Sequence, residues 1–128
     1  MPSHTWEIVD EIKKVFPHIG IEIVVGHDIY NAGHNEFTYR RVATERMQYK
    51  YASLPFIPAG WHKVLFATPE NIQPDLIDYV RQKHYDGVYF IPTSTVFLEL
   101  IPEGATKGNA LKALGEKLGI CRENICAI

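Results

Sequence analysis

The sequence predicts an α+β fold, a two-layer domain with a mainly antiparallel sheet and helices on one face. Three observations predict it. Apolar residues at helical spacing alternate with pairs of β-rich runs, each pair is broken by a turn, and the helix-plus-hairpin order occurs twice, at 4–31 and 70–101, around an inserted helix and strand at 36–67. A helix buries one stripe and a hairpin one face, so duplicated αββ units with an inserted αβ close on each other as a helical layer over a sheet. At 128 residues the chain is long enough for one real core and too short for two complete domains.

The elements follow in chain order. Residues 4–16 carry Ile8, Val9, Ile12, Val15 and Phe16 at helical spacing, and Pro17 and Gly20 end the pattern. Ile21, Ile23 and Val25 alternate along a strand, Gly26-His27-Asp28 turns the chain, and Ile29-Tyr30 begins the return. Residues 36–50 place Tyr39, Val42, Ala43 and Met47 on one side of a half-exposed helix, and Pro55, Pro58 and Gly60 make 54–60 a loop. His62 to Ala67 is a short apolar strand. Thr68-Pro69 offers a helix start, Pro74 leaves that start open between 69 and 74, and the helix ends near His84. Residues 87–91 and 95–101 form the second hairpin around Pro92-Thr93-Ser94. After Pro102-Glu103-Gly104, Thr106 is the candidate cap of a helix lined by Leu111, Leu114 and Leu118 and stopped by Gly119. Residues 123–128 read as a final strand.

Composition excludes several classes of function. Net charge is −2, and the cations are scattered apart from Arg40-Arg41, so no basic face calls for nucleic acid or an anionic membrane. No apolar run approaches the roughly 20 residues that span a bilayer, and the N-terminus lacks a basic-then-apolar leader. The expected setting is cytoplasmic. Cys121 and Cys126 are too few for a disulfide framework and lack CxxC spacing, so they read as reduced packing residues; the six histidines form neither HxH nor HExxH, and no metal site is expected.

One stretch is more specific. Phe97-Leu98-Glu99-Leu100-Ile101-Pro102-Glu103-Gly104-Ala105-Thr106-Lys107-Gly108-Asn109-Ala110-Leu111, then Leu118-Gly119-Ile120 and Asn124-Ile125-Cys126-Ala127-Ile128, resembles the cap-to-core junction of Cof-type phosphatases of the haloacid dehalogenase (HAD) superfamily. The resemblance implies a cap domain over residues 1–103 and, over 104–128, a truncated piece of a Rossmann-like HAD core. It makes Lys107 the core lysine. A cation at a helix N-terminus stands where the dipole already favours an anion, and it can hold a transferring phosphoryl group beside a carboxylate nucleophile.

The resemblance also implies a parent enzyme that uses Mg²⁺ and an aspartyl-phosphate to hydrolyse a small phosphorylated metabolite, such as a sugar phosphate. Its D-x-D-G-[TS] nucleophile motif occurs nowhere in this sequence, and its G-D-x-x-N-D motif would fall after Ile128, so the magnesium ligands are absent from the chain. The 128 residues alone are therefore expected to be inactive. Substrate choice in the family comes from the cap; period-2 alternation on 95–101 puts Phe97 and Glu99 on the charged side, with Lys63 a weaker candidate for substrate contact. Two rival readings are a free-standing small-molecule-binding domain and an assembly module. Residues 105–128 bring apolar side chains and a last strand with free edges, which favours a homo-oligomer through that segment.

Overall fold

The computed structural model describes residues 1–45 and 48–127, so the helical role read for Met47 and the strand role read for Ile128 lie outside the described residues. Helix α1 (Thr5–Val15) opens where Pro2 O accepts both the Thr5 amide, at 3.1 Å, and its hydroxyl, at 2.8 Å. Strands β1 (Gly20–Val25) and β2 (Asp28–Gly33) form the first hairpin, whose turn needs Gly26 at φ +60°. Helix α2 (Glu36–Glu45) starts on Asn35, whose Oδ1 accepts the amides of Phe37 and Thr38. Strand β4 (Trp61–Ala67), helix α3 (Gln73–Lys83), and the hairpin of β5 (Val88–Pro92) with β6 (Phe97–Pro102) follow. Helix α4 (Lys107–Leu118) closes on Gly119 at φ +68°.

Three expectations are corrected. Of the helix read over 36–50 the described residues hold Glu36–Glu45, and Tyr49–Tyr51 form strand β3, which pairs parallel to β2. A sheet edge with free backbone groups captured two β-favouring tyrosines, a long-range effect that helical spacing in the window cannot reveal. The strand read over 123–128 is absent among the described residues: Arg122–Asn124 is a 3₁₀ turn and 125–127 pair with nothing. A strand needs a neighbour for its ladder, and here Ile125 packs instead on Gly115 of α4, where an added Cβ would lie 2.6 Å from Ile125 Cδ1. The cysteines differ too, since both are exposed free thiols rather than packing residues.

The sheet runs β3-β2-β1-β4-β6-β5 and is antiparallel except for β2 with β3. On its first face Ile21, Ile23, Val64, Phe66, Leu98 and Leu100 are buried in one core with Ile8, Val9 and Ile12 of α1 and Leu76 and Val80 of α3. Each such side chain contributes roughly 1.5–3 kcal/mol by leaving water, and this layer holds the domain together. On the second face Glu22, Leu65 and Glu99 stand side by side in the ladder. That face is not wholly free. Asn35 Nδ2 donates to Ala67 O at 2.8 Å, which anchors the start of α2 at the Phe97 end of the sheet, and Arg41 then reaches down to Glu22. Helices α1 and α3 share one side as expected, whereas α2 serves the other.

Candidate functional site

The residues singled out in the sequence fall into two groups. Lys107 is the first residue of α4, reached from β6 through a turn in which Gly104 has φ +78° and Ala105 N donates to Pro102 O at 3.0 Å. Thr106 Oγ1 accepts the Asn109 amide at 3.1 Å, and Asn109 Nδ2 donates back to Gly104 O at 2.9 Å. The loop is thus cross-braced from both sides. No acidic residue lies in the first turn, so the exposed ammonium of Lys107 adds to the positive end of the helix, where the amides of Lys107 and Gly108 precede the first helical hydrogen bond. The arrangement suits an anion with several oxygens.

Lys63, Glu99 and Phe97 come together on the second face. Lys63 Nζ stands 3.0 Å from Glu99 Oε1, both only partly exposed, and the Arg41 guanidinium sits 5.4 Å over the Phe97 ring. Lys107 does not join them; it lies past the Pro102 end of β6, and Phe97 begins that strand. The pair in the middle of the face can both donate and accept, which fits hydroxyl groups better than a bare anion.

Sequence reasoning missed the network beside this group. Arg41 donates from Nε to Glu22 Oε2 at 3.2 Å and from a terminal nitrogen to Glu45 Oε2 at 3.0 Å. Glu22 is only 2% exposed, and its burial pushes its carboxyl above the ordinary range despite Arg41 beside it. Burial likewise pushes the Tyr49 phenol up. A charge between Ile21 and Ile23 reads as solvent-facing in a strand, so only the position of α2 exposes its true setting. Among the described residues no group of three or more His, Cys, Asp or Glu side chains could hold a metal ion. The magnesium implied by the resemblance therefore does not fit the residues present.

The six-stranded sheet passing directly into a helix that opens on a lysine defines an α+β domain coupled to a cationic helix terminus. A family model of haloacid dehalogenase-like hydrolases matches residues 3–128. The chain belongs to the haloacid dehalogenase-like hydrolase family. Over 81 residues it is 28% identical to the protein of Streptococcus pyogenes serotype M6 named "Putative phosphatase M6_Spy0533", matching 51% of this chain and 30% of that protein. A haloacid dehalogenase-like hydrolase from Bacteroides thetaiotaomicron superposes with a TM-score of 0.76 at 19% identity, over 97% of this chain and 47% of its own. The subclass IIB sugar phosphatase BT4131 gives a TM-score of 0.74 at 12% identity, over 97% and 46%. At these identities the likeness is one of fold, and the chain spans less than half the length of each of these relatives. No helix among the described residues is long and apolar enough to cross a membrane.

Proposed function

We propose that the chain is the cap domain, residues 1–103, and the opening segment of the catalytic core, residues 104–128, of a cytoplasmic Mg²⁺-dependent phosphatase acting on a small phosphorylated metabolite such as a sugar phosphate. The observation that carries this reading is Lys107, fixed at the start of α4 by the Thr106 and Asn109 hydrogen bonds and free of acidic neighbours in its turn. Its ammonium holds the transferring phosphoryl group and offsets charge as an aspartate attacks, forming an aspartyl-phosphate that water then hydrolyses. That aspartate and the magnesium carboxylates are supplied from outside these 128 residues. The cap provides selection: Lys63 and Glu99 meet hydroxyls of the substrate body, and Phe97 supplies an apolar edge. The exposed thiols of Cys121 and Cys126 suit a reducing compartment.

The test is kinetic. In a polypeptide that joins this chain to a complete core, Lys107→Ala should lower turnover on the order of 100-fold, and Lys107→Arg should restore little because a forked guanidinium is not a point charge. Unchanged turnover in Lys107→Ala would sink the assignment. The 128-residue chain alone should not hydrolyse p-nitrophenyl phosphate.

A second reading, assembly through the tail, is favoured by the exposure of Leu114, Leu118 and Ile120. It predicts a dimer in light scattering that becomes monomeric when residues 105–128 are deleted.

A further inference from the structure

The part of the second face that α2 leaves open runs toward Lys107. In the β5–β6 ladder Glu99 stands opposite Ile91, and Ile101 stands opposite Tyr89. Partners on neighbouring strands share a face, so Tyr89 lies on the same side as Glu99 and its ion-pair partner Lys63, while Val88 and Phe90 turn toward the core. The Tyr89–Ile101 rung is the last of this face before the turn, since Pro102 ends β6 and Lys107 opens α4.

That rung carries a second polar pair. The Tyr89 hydroxyl donates to Glu103 Oε1 at 3.2 Å, and the Glu103 amide donates to Gly87 O at 2.9 Å, so backbone and side chain of Glu103 are both tied to the β5 side. Both residues are exposed. Among the described residues Glu103 forms no ion pair, so its carboxylate meets a neutral donor and keeps its full negative charge. The phenol feels that charge, which raises its pKa.

We propose that Tyr89 and Glu103 select the substrate by charge: they admit a monophosphate whose body carries hydroxyl or ammonium groups and disfavour one whose body carries a second anion. This rests on the proposed phosphatase reading, in which the phosphoryl group sits at Lys107. A body that extends from there toward Lys63 and Glu99 meets the Tyr89–Glu103 pair first. A phenol oxygen whose proton is committed to Glu103 offers its lone pairs to a hydroxyl or ammonium donor, and the carboxylates of Glu103 and Glu99 do the same. Lys63 and Arg41 on this face are already paired, with Glu99 and Glu22, and neither is spare for a second phosphate. At low salt one unit charge about 8 Å away in water changes an affinity about twofold, so a doubly charged phosphate beside Glu103 is disfavoured about fourfold.

The experiment titrates the full chain, followed by amide NMR at an ionic strength of about 0.01 M, with three probes built on one ring: glucosamine 6-phosphate, glucose 6-phosphate and glucose 1,6-bisphosphate. The amides of Tyr89, Ile101 and Glu103 should shift at the lowest concentration with the amino sugar and at the highest with the bisphosphate. Glu103→Gln should improve the bisphosphate about fourfold and weaken the amino sugar about twofold, and salt at about 0.5 M should erase both differences. Equal midpoints for the three probes, an order that Glu103→Gln leaves unchanged, or no shift at these amides with any probe would each overturn the proposal. Should the glutamine variant fail to fold, the wild-type order and its loss in salt decide alone. The phosphatase reading fails separately, through unchanged turnover in Lys107→Ala, and that result leaves the order of the three probes to stand or fall on its own titration.

Discussion

The two faces of the sheet are made by alternate residues of the same strands, and they are stabilised by different physics. On the first face Ile21, Val64, Phe66, Leu98 and Leu100 meet α1 and α3 through apolar contact alone. On the second, Lys63 and Glu99 pair with each other, the buried Glu22 accepts from Arg41, and only the Phe97 end is roofed by a helix. Apolar packing tolerates no loss of volume but is indifferent to pH and salt, whereas the polar face can be altered by a proton with little change of volume. One face keeps the shape of the domain, and the other can respond to its surroundings.

The largest effect should come from the first face. Phe66→Ala removes a fully buried ring and should cost about 3–5 kcal/mol in thermal or denaturant unfolding. A loss under 1 kcal/mol would mean that the helical layer is not closed on the sheet. Next comes the pH dependence of Glu22. Its pKa is raised above the ordinary 4.5, so the folded state binds the proton better; its contribution is fullest below 4.5 and is lost as pH rises through the folded pKa. Glu22→Gln should therefore be more stable than wild type at neutral pH, with the gain shrinking in acid; a gain that grows in acid would reverse the sign of the argument. Glu11, on the far side of the domain, behaves oppositely, because Lys83 and Tyr79 at 2.7 Å lower its pKa and its contribution fades as pH falls.

Smaller effects sharpen the contrast. A double-mutant cycle on Lys63→Ala and Glu99→Ala should return a coupling of about 0.2–1 kcal/mol that shrinks with added salt, as half-solvated pairs do. Coupling that is indifferent to salt would place the pair in a drier setting than the geometry gives. Smallest of all, Leu118→Ser should shift stability by less than about 0.5 kcal/mol, since that side chain is 61% exposed.

The same contrast explains what could be read from the sequence. Alternation at Ile21 and Ile23, helical spacing at Ile8, Val9 and Ile12, and the Thr106 and Gly119 signals around α4 are local, and each lies where the residues placed it. The place of Lys107 at the start of α4 was legible for the same reason, since the capping residues are its neighbours in the chain. The path of α2 over the second face was not. It depends on Asn35 meeting Ala67 and on Arg41 meeting Glu22, contacts between residues 32 and 19 positions apart. Tyr49–Tyr51 became a strand because β2 had a free edge beside it, and residues 125–127 did not because Ile125 packs on Gly115 of α4 instead of meeting a strand.

The turn at Pro102–Thr106 has a mechanical side. Strand β6 starts at Phe97 and ends at Pro102, where that turn leads into α4. At about 3.3 Å per residue the five steps of β6 make an arm of roughly 17 Å, stiffened by β4 and β5 on its flanks. A pivot of about 10° in the turn would sweep Phe97 through roughly 3 Å and Glu99 through about 2 Å, by the same rise per residue. Leverage of this kind would convert a small torsional change beside Lys107 into a displacement of about an atomic diameter at the other end of the strand.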